Sequence, residues 1–230
     1  MGERAAGLLD AAYRDGSVLD RDGRAIPVLP TSIARADGEA LRDLVMREGA
    51  TRTIEVGLAL GMSALFFCEA IGGREGRHVA VDPFQAASWN GAGLRTLRDA
   101  GVEDLVEVIE EESQLALPRL VAEGREFDLG FIDGDHRFDA FFLDLYYMTR
   151  LVRPGGLIVA DDMWMPSIRV AVAYATKNLG LALEPDALPD AFRFRRRLTP
   201  GVPRGKGDMA VLRLPRERPE PRWDEFVPPY

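Results

Sequence analysis

The sequence predicts an α/β chain built on a doubly wound, mostly parallel sheet of seven strands, the last of them antiparallel. Three observations lead there. Between Thr53 and Asp161, short apolar runs ending in an acid alternate with longer segments of helical period, the pattern of repeated βαβ units. Glycine closes each of the helical segments in between. Finally, 230 residues with 47% hydrophobic content can bury one sizeable core but are short for two.

Residues 1–50 read as a helical cap. Ser17 to Pro30 is turn-rich and predicts a loop, and Asp37 is an N-cap for a helix whose Leu41, Leu44 and Val45 share one face. Residues 51–214 form the main domain. Its parallel strands are Thr53 to Val56, His78 to Asp82, Val106 to Glu110, Leu129 to Asp133 and Leu157 to Asp161. Helices are expected over Ser63 to Ile71, Leu94 to Ala100, Leu115 to Glu123 and Phe138 to Leu151, closed by Gly72-Gly73, Gly101, Gly124 and the Pro154-Gly155-Gly156 turn. A helix over Ser167 to Leu179 follows, and a hairpin of Ala191 to Leu198 with Met209 to Leu214 completes the sheet. The proline-rich residues 215–230 predict an extended tail.

The net charge of -8 argues against nucleic acid or an anionic membrane as partner, because an acidic surface attracts neither polyanion. One cysteine, Cys68, permits no internal disulfide and reads as a small buried apolar residue. The first ten residues lack an apolar signal core, so a cytoplasmic location is expected.

Ligands of an open parallel sheet bind beyond the carboxyl ends of its strands. Glu55 lies in the first strand, and Asp82, Asp133 and Asp161 end the second, fourth and fifth, which gathers carboxylates at one mouth and calls for a cationic ligand or a metal. The first turn, Glu55-Val56-Gly57-Leu58-Ala59-Leu60-Gly61, is not the dinucleotide fingerprint: Ala59 and Met62 stand where that pattern needs glycine and a small residue. Asp82 is placed to accept hydrogen bonds from both hydroxyls of a ribose, or else to cap the turn ahead of Pro83.

The blocks EVGLALGMSALF, VAVDPF, VEVIEEESQLALPRL and FIDGDHRFDAFFLDLYYMTRLVRPGGLIVADD resemble the catechol O-methyltransferase-like branch of the class I methyltransferases, over roughly Pro30 to Leu179. The resemblance implies an S-adenosylmethionine-dependent O-methyltransferase acting on a hydroxylated small molecule, such as a natural product, sugar or phenol, and a possible homodimer. It places Glu55, Gly57, Gly61 and Ser63 around the methionine part of the cofactor, Asp82 at its ribose, and Ser113 with Gln114 at its adenine, and it adds Asp133 to the cofactor-binding set. Asp133, Asp161 and Asp162 fall where that branch binds Mg²⁺ or another divalent cation, with Asp162 in place of the catechol enzymes' asparagine. Their plainer reading is a solvated turn and a helix cap. Two further alternatives are a cofactor-binding protein without chemistry and a nicotinamide-dependent oxidoreductase.

His136 and Asp135 compete as general base. The resemblance favours His136, three residues after Asp133, and the dipole of the helix that follows is expected to keep its imidazole neutral near pH 7. Trp164, Met165 and Trp89 either line a pocket or cover core. Phe141, Leu145 and Met148 form a core stripe, Arg137 and Arg169 read as surface charges, and Arg193, Arg195, Arg196 and Arg197 alternate with phenylalanine as in a half-exposed strand.

Overall fold

The computed structural model describes residues 2–189, 209–217 and 223–230. Its fold is the expected one, a doubly wound Rossmann-like arrangement with a seven-stranded, mostly parallel sheet. The chain divides into two compact units, residues 1–119 and 120–230.

In the first unit, α1 (Gly2–Asp15) leads into a small antiparallel hairpin of β1 (Ser17–Leu19) and β2 (Ala25–Pro27), then α2 (Arg35–Glu48). Neither α1 nor the hairpin is apparent in the sequence, where Ser17 to Pro30 reads as loop. Asp37 is not the cap of α2. Ala34 holds that position, and Asp37 stands in the first turn, where its charge opposes the positive end of the helix dipole. Next come β3 (Arg52–Val56), α3 (Met62–Ile71), β4 (Arg77–Val81), α4 (Ala92–Ala100) and β5 (Val106–Ile109), with β4 pairing in parallel with both β3 and β5.

α3 is apolar on every side because it is enclosed on every side. It packs against β3 and β4 and is covered by α1, α2 and α4, so all its residues except Glu69 are buried. Each of Leu65, Phe66 and Phe67, at most 2% exposed, contributes about 1.5–3 kcal/mol by leaving water. The N-terminal helices thus cover α3, the helix that the glycine turn feeds.

α5 (Ser113–Ala122) spans the boundary between the units. The second unit continues with β6 (Phe127–Ile132), α6 (Phe138–Leu151), β7 (Val152–Ala160), α7 (Pro166–Asn178), β8 (Ala182–Leu183) and β9 (Ala210–Arg213). β6 and β7 are parallel, while β9 runs antiparallel to β7 and to β8. The segment Pro154-Gly155-Gly156 lies inside β7 rather than in a separate turn: α6 passes directly into the strand, and the β6–β7 register shifts at Phe127/Leu129. The expected strand over Ala191 to Leu198, with its arginine run, lies outside the described residues. Phe141, Leu145 and Met148 are buried on one face of α6, as their spacing requires.

Candidate active site

β3 ends at Val56 and the chain turns through Gly57 (φ 100°) and Gly61 (φ 82°), left-handed conformations that glycine adopts without cost. Between them Ala59 also has positive φ, 43°, which in a residue with a side chain costs of order 1–3 kcal/mol and persists only where neighbours enforce it. The enforcing neighbour is Asp82, one residue past β4. Its Oδ2 accepts the Ala59 N–H at 2.6 Å and its Oδ1 the Phe84 N–H at 2.7 Å, and Asp82 is 3% exposed. The carboxylate therefore both caps its own turn and grips the glycine turn.

Glu55 does not present its carboxylate at a strand end. It is fully buried, 3.2 Å from Nε2 of His78 on β4, whose Nδ1 lies 2.8 Å from the Thr53 hydroxyl and whose ring stacks on Phe67 at 4.7 Å. Thr53 and Glu55, two apart on the strand, point to the same side, and His78 answers both. A buried acid needs such a partner, since burying a lone carboxylate is costly. Beside it, burial and then Glu55 push the Cys68 thiol up to about 12, so this cysteine is no nucleophile.

Ser63 is buried in the first turn of α3. Ser113 and Gln114 open α5 beyond β5, and the Gln114 amide donates to Glu112. A cavity of about 290 Å³ in this unit is lined by Arg21, Gly91, Leu94, Arg95, Arg98 and Asp99, none of them a residue to which the sequence gives a ligand role.

In the second unit Asp133 follows β6, and Asp161 and Asp162 follow β7. The structure brings together Asp133, His136 and Asp162, each with a ligand atom within 4.8 Å of the others. His136 Nε2 is 2.5 Å from Asp162 Oδ2 and 3.8 Å from Asp133 Oδ1. Asp161 stands outside this group. Its Oδ1 accepts the N–H of Asp162, which lies at φ 53°, and that turn aims the two consecutive acids differently.

The neutral imidazole expected at His136 is not what the geometry gives. The carboxylates of Asp133 and Asp162 beside it raise the His136 pKa from 6.5 to about 10, because two negative charges outweigh the partial charge at the start of α6. In return, His136 lowers the Asp162 carboxyl below its usual value. Asp135 is engaged elsewhere: Arg137 bonds it through both its backbone N–H and its guanidinium and holds its pKa down.

Arg137 is thus paired, and Arg169 is no idle surface charge either, since its guanidinium donates to the carbonyls of Met163 and Trp164 and fastens the turn after Asp162. Trp164 is 56% exposed and donates from Nε1 to Asp162 Oδ1 at 2.6 Å, so it covers no core. Trp89 is half-buried. Sequence reasoning misses His78, Arg169 and Gln85, which approach their partners from distant positions or across a turn. The burial of Gln85 inside an irregular turn offers no periodic signal.

The donor chemistry of the cluster suits a divalent cation. Asp133 and Asp162 supply hard oxygens, their side chains are 21% and 25% exposed, and the proton that now links them to His136 can be displaced.

A family model described as a methyltransferase domain matches residues 54–163. Tricin synthase 1 of Oryza sativa subsp. japonica is 31% identical over 188 residues, covering 70% of this chain and 73% of that protein. The chain belongs to the class I S-adenosylmethionine-dependent O-methyltransferases, in the caffeoyl-CoA O-methyltransferase-like branch. A flavonoid 3',5'-methyltransferase of Vitis vinifera is 32% identical over 123 residues, 52% of this chain and 50% of that one. The chain spans about half the length of the first curated relatives it matches, 50%, 53% and 56%. Among solved structures, an O-methyltransferase from Bacillus cereus in complex with SAH shares the fold, with a TM-score of 0.66 at 17% identity over 92% of this chain and 90% of that one. Family membership displaces the nicotinamide-dependent oxidoreductase alternative. No helix among the described residues is long and apolar enough to cross a membrane.

Proposed function

We propose that this methyltransferase moves the sulfonium methyl of S-adenosylmethionine to a hydroxyl of a small molecule, with a divalent cation, Mg²⁺ or a relative, held by Asp133 and Asp162. The observation that carries the reading is the convergence of Asp133, His136 and Asp162 within 4.8 Å. In the other unit, the Gly57–Gly61 turn and Asp82 would receive the methyl donor, with Ser63, Ser113 and Gln114 alongside. A cation on Asp133 and Asp162 would hold the substrate oxygen and lower its pKa.

The chain's own part is positioning and one proton. The substrate O–H gives its proton to His136 Nε2, the oxygen forms the new bond to the methyl carbon, and the C–S bond breaks to leave the thioether product. His136 can accept only when neutral, and occupation of Asp133 and Asp162 by a cation removes the carboxylates that hold it protonated. Asp135, tied to Arg137, is the weaker candidate. Exposed Trp223, Phe226 and Tyr230 in the second unit support a homodimer, and a single buried cysteine fits the cytoplasm.

A methyl-transfer assay with S-adenosylmethionine and a panel of hydroxylated phenols and sugars tests this reading. Turnover that stops with chelator and returns with Mg²⁺ supports it. Undiminished turnover in excess chelator overturns the role of the cation, and no transfer to any hydroxyl with metal and donor bound overturns the reaction.

A further inference from the structure

Gly91, Leu94, Arg95, Arg98 and Asp99 recur at the i, i+3, i+4, i+7, i+8 spacing of a helix, so they share one face of α4 and its N-cap. The opposite stripe, Ala92, Gly93, Thr96, Leu97 and Ala100, is buried. Together with Arg21, from the turn between β1 and β2, the first stripe walls the cavity of about 290 Å³ in this unit. That turn is fastened to the helix side. The Arg21 N–H donates to the Asn90 carbonyl at 2.9 Å, Asn90 Nδ2 donates to Asp20 Oδ2 at 2.9 Å, and Arg95 Nη1 donates to the Asp20 carbonyl at 2.9 Å. The two walls are thus held in register by the chain itself.

The charges around this cavity do not cancel. Arg95 pairs with Asp99, Nε to Oδ2 at 3.2 Å, and Asp22 pairs with Arg24. Asp20 accepts the N–H groups of Asp22 and Arg24 on one oxygen and the Asn90 amide on the other. Arg21 and Arg98 have no ion pair and no side-chain hydrogen bond among the described residues. Two guanidiniums are therefore left over, on a chain whose net charge is -8. Arg21 is also set against the field of the helix. A Cβ on Gly91, the N-cap of α4, would lie 3.2 Å from both Nε and Nη2 of Arg21, so the guanidinium rests at the positive pole. Arg4 shows the ordinary placement on the same helix, its Nε donating to the Asp99 carbonyl at the other end. A cation at the wrong pole, with a second unpaired cation on the same cavity wall, is a repulsive arrangement that an anion would relieve.

We propose that this cavity binds a phosphoryl dianion between Arg21 of the hairpin turn and Arg98 of α4, with residues separate from those of the glycine turn and of the Asp133–Asp162 cluster. Planar guanidinium forks match phosphate oxygens two at a time, which an ammonium does not do. A volume of about 290 Å³ is at the small end of ligand pockets and suits phosphate, pyrophosphate or a small monoester. Leu94 is the single large apolar side chain in the lining, so charge rather than apolar burial selects the occupant. Once bound, the dianion ties the β1–β2 turn to α4 a second time.

The test is calorimetric titration of the full chain, metal-free and at constant ionic strength, with inorganic phosphate, pyrophosphate and methyl phosphate, and with chloride as the salt control. Saturable one-to-one binding with a Kd of about 1 mM or tighter is expected for at least one of the three. No saturable binding of any of them up to about 10 mM overturns the proposal. Tighter binding of methyl phosphate than of phosphate assigns an ester headgroup as the occupant, and the reverse assigns the free ion. Arg21→Gln and Arg98→Gln alter exposed side chains with no partner to lose, so both should fold, and each should weaken binding about 10-fold, the scale of a lost hydrogen bond between charged groups. Arg74→Gln, at an exposed residue outside the cavity lining, removes the same charge and should change affinity less than about twofold. Equal losses in all three variants would mean attraction by net charge alone and overturn the site. Saturating S-adenosylhomocysteine should leave the affinity unchanged, whereas competition between the two would place the anion in the methyl-donor site and overturn the proposal as well.

Discussion

Asp82 is 3% exposed and accepts N–H donors from Ala59, Phe84 and Gln85, whereas Asp133 and Asp162 are part-exposed and share one imidazole. The first carboxylate is fixed by neutral backbone and amide groups that no ligand needs to displace. The second pair is held by a proton that, on the function proposed above, a cation would replace. A site built before its ligand arrives and a site completed by its ligand leave different marks: satisfied, buried hydrogen bonds in one, and a strongly shifted, half-exposed histidine in the other.

That contrast can be broken most forcefully at His136. Replacing it by alanine should lower turnover roughly 10²-fold or more, the usual scale for losing a general base, with S-adenosylhomocysteine affinity unchanged by calorimetry. Asp135→Asn should cost far less, and the reverse order of damage with cation still bound would exchange the two roles.

Next in size is Asp82→Ala. A ligand at 100 times its Kd stabilises by about 2.7 kcal/mol, and this variant should lose most of the corresponding rise in Tm. An undiminished rise would remove Asp82 from donor binding.

A smaller effect appears in pH. The His136 pKa is raised from 6.5 to about 10, so its contribution to stability is fully present below 6.5 and is lost as pH rises through about 10. The cation-free protein should lose Tm modestly across that window, modestly because the ring is half exposed, and His136→Ala should flatten the slope. Over the same range Mg²⁺ should bind more tightly as the competing proton leaves. Cation affinity independent of pH would separate His136 from the cation site. Asp162→Asn should be the mildest change, keeping one ligand oxygen while removing a charge, and is expected to retain Mg²⁺-dependent turnover and to lower the His136 pKa in an NMR titration.

The sequence made the parallel strands and their acids legible because a buried strand writes a continuous apolar run and the following turn writes a polar stop. α6 is found at its expected residues, Phe138–Leu151, for the same reason in helical period. What escaped depends on direction rather than on residue type. Glu55 looks like a ligand-facing acid until the strand's alternation turns it to His78, 23 residues away. Asp161 and Asp162 look equivalent until one positive φ aims only the second toward His136. Ala59 carries no mark of its left-handed conformation, because the groups that enforce it, Asp82 and Gln85, come from the next strand's turn.

The indole of Trp164 donates to Asp162, and the residue is more than half exposed to water. Its emission therefore reports directly on what that carboxylate is doing. A cation that draws charge from Asp162 alters the dipole in contact with the excited ring, so occupancy can be followed optically without label, substrate or turnover. Of the three tryptophans only Trp89 and Trp223 contribute background, and replacing each with phenylalanine leaves a single-colour gauge of the second unit.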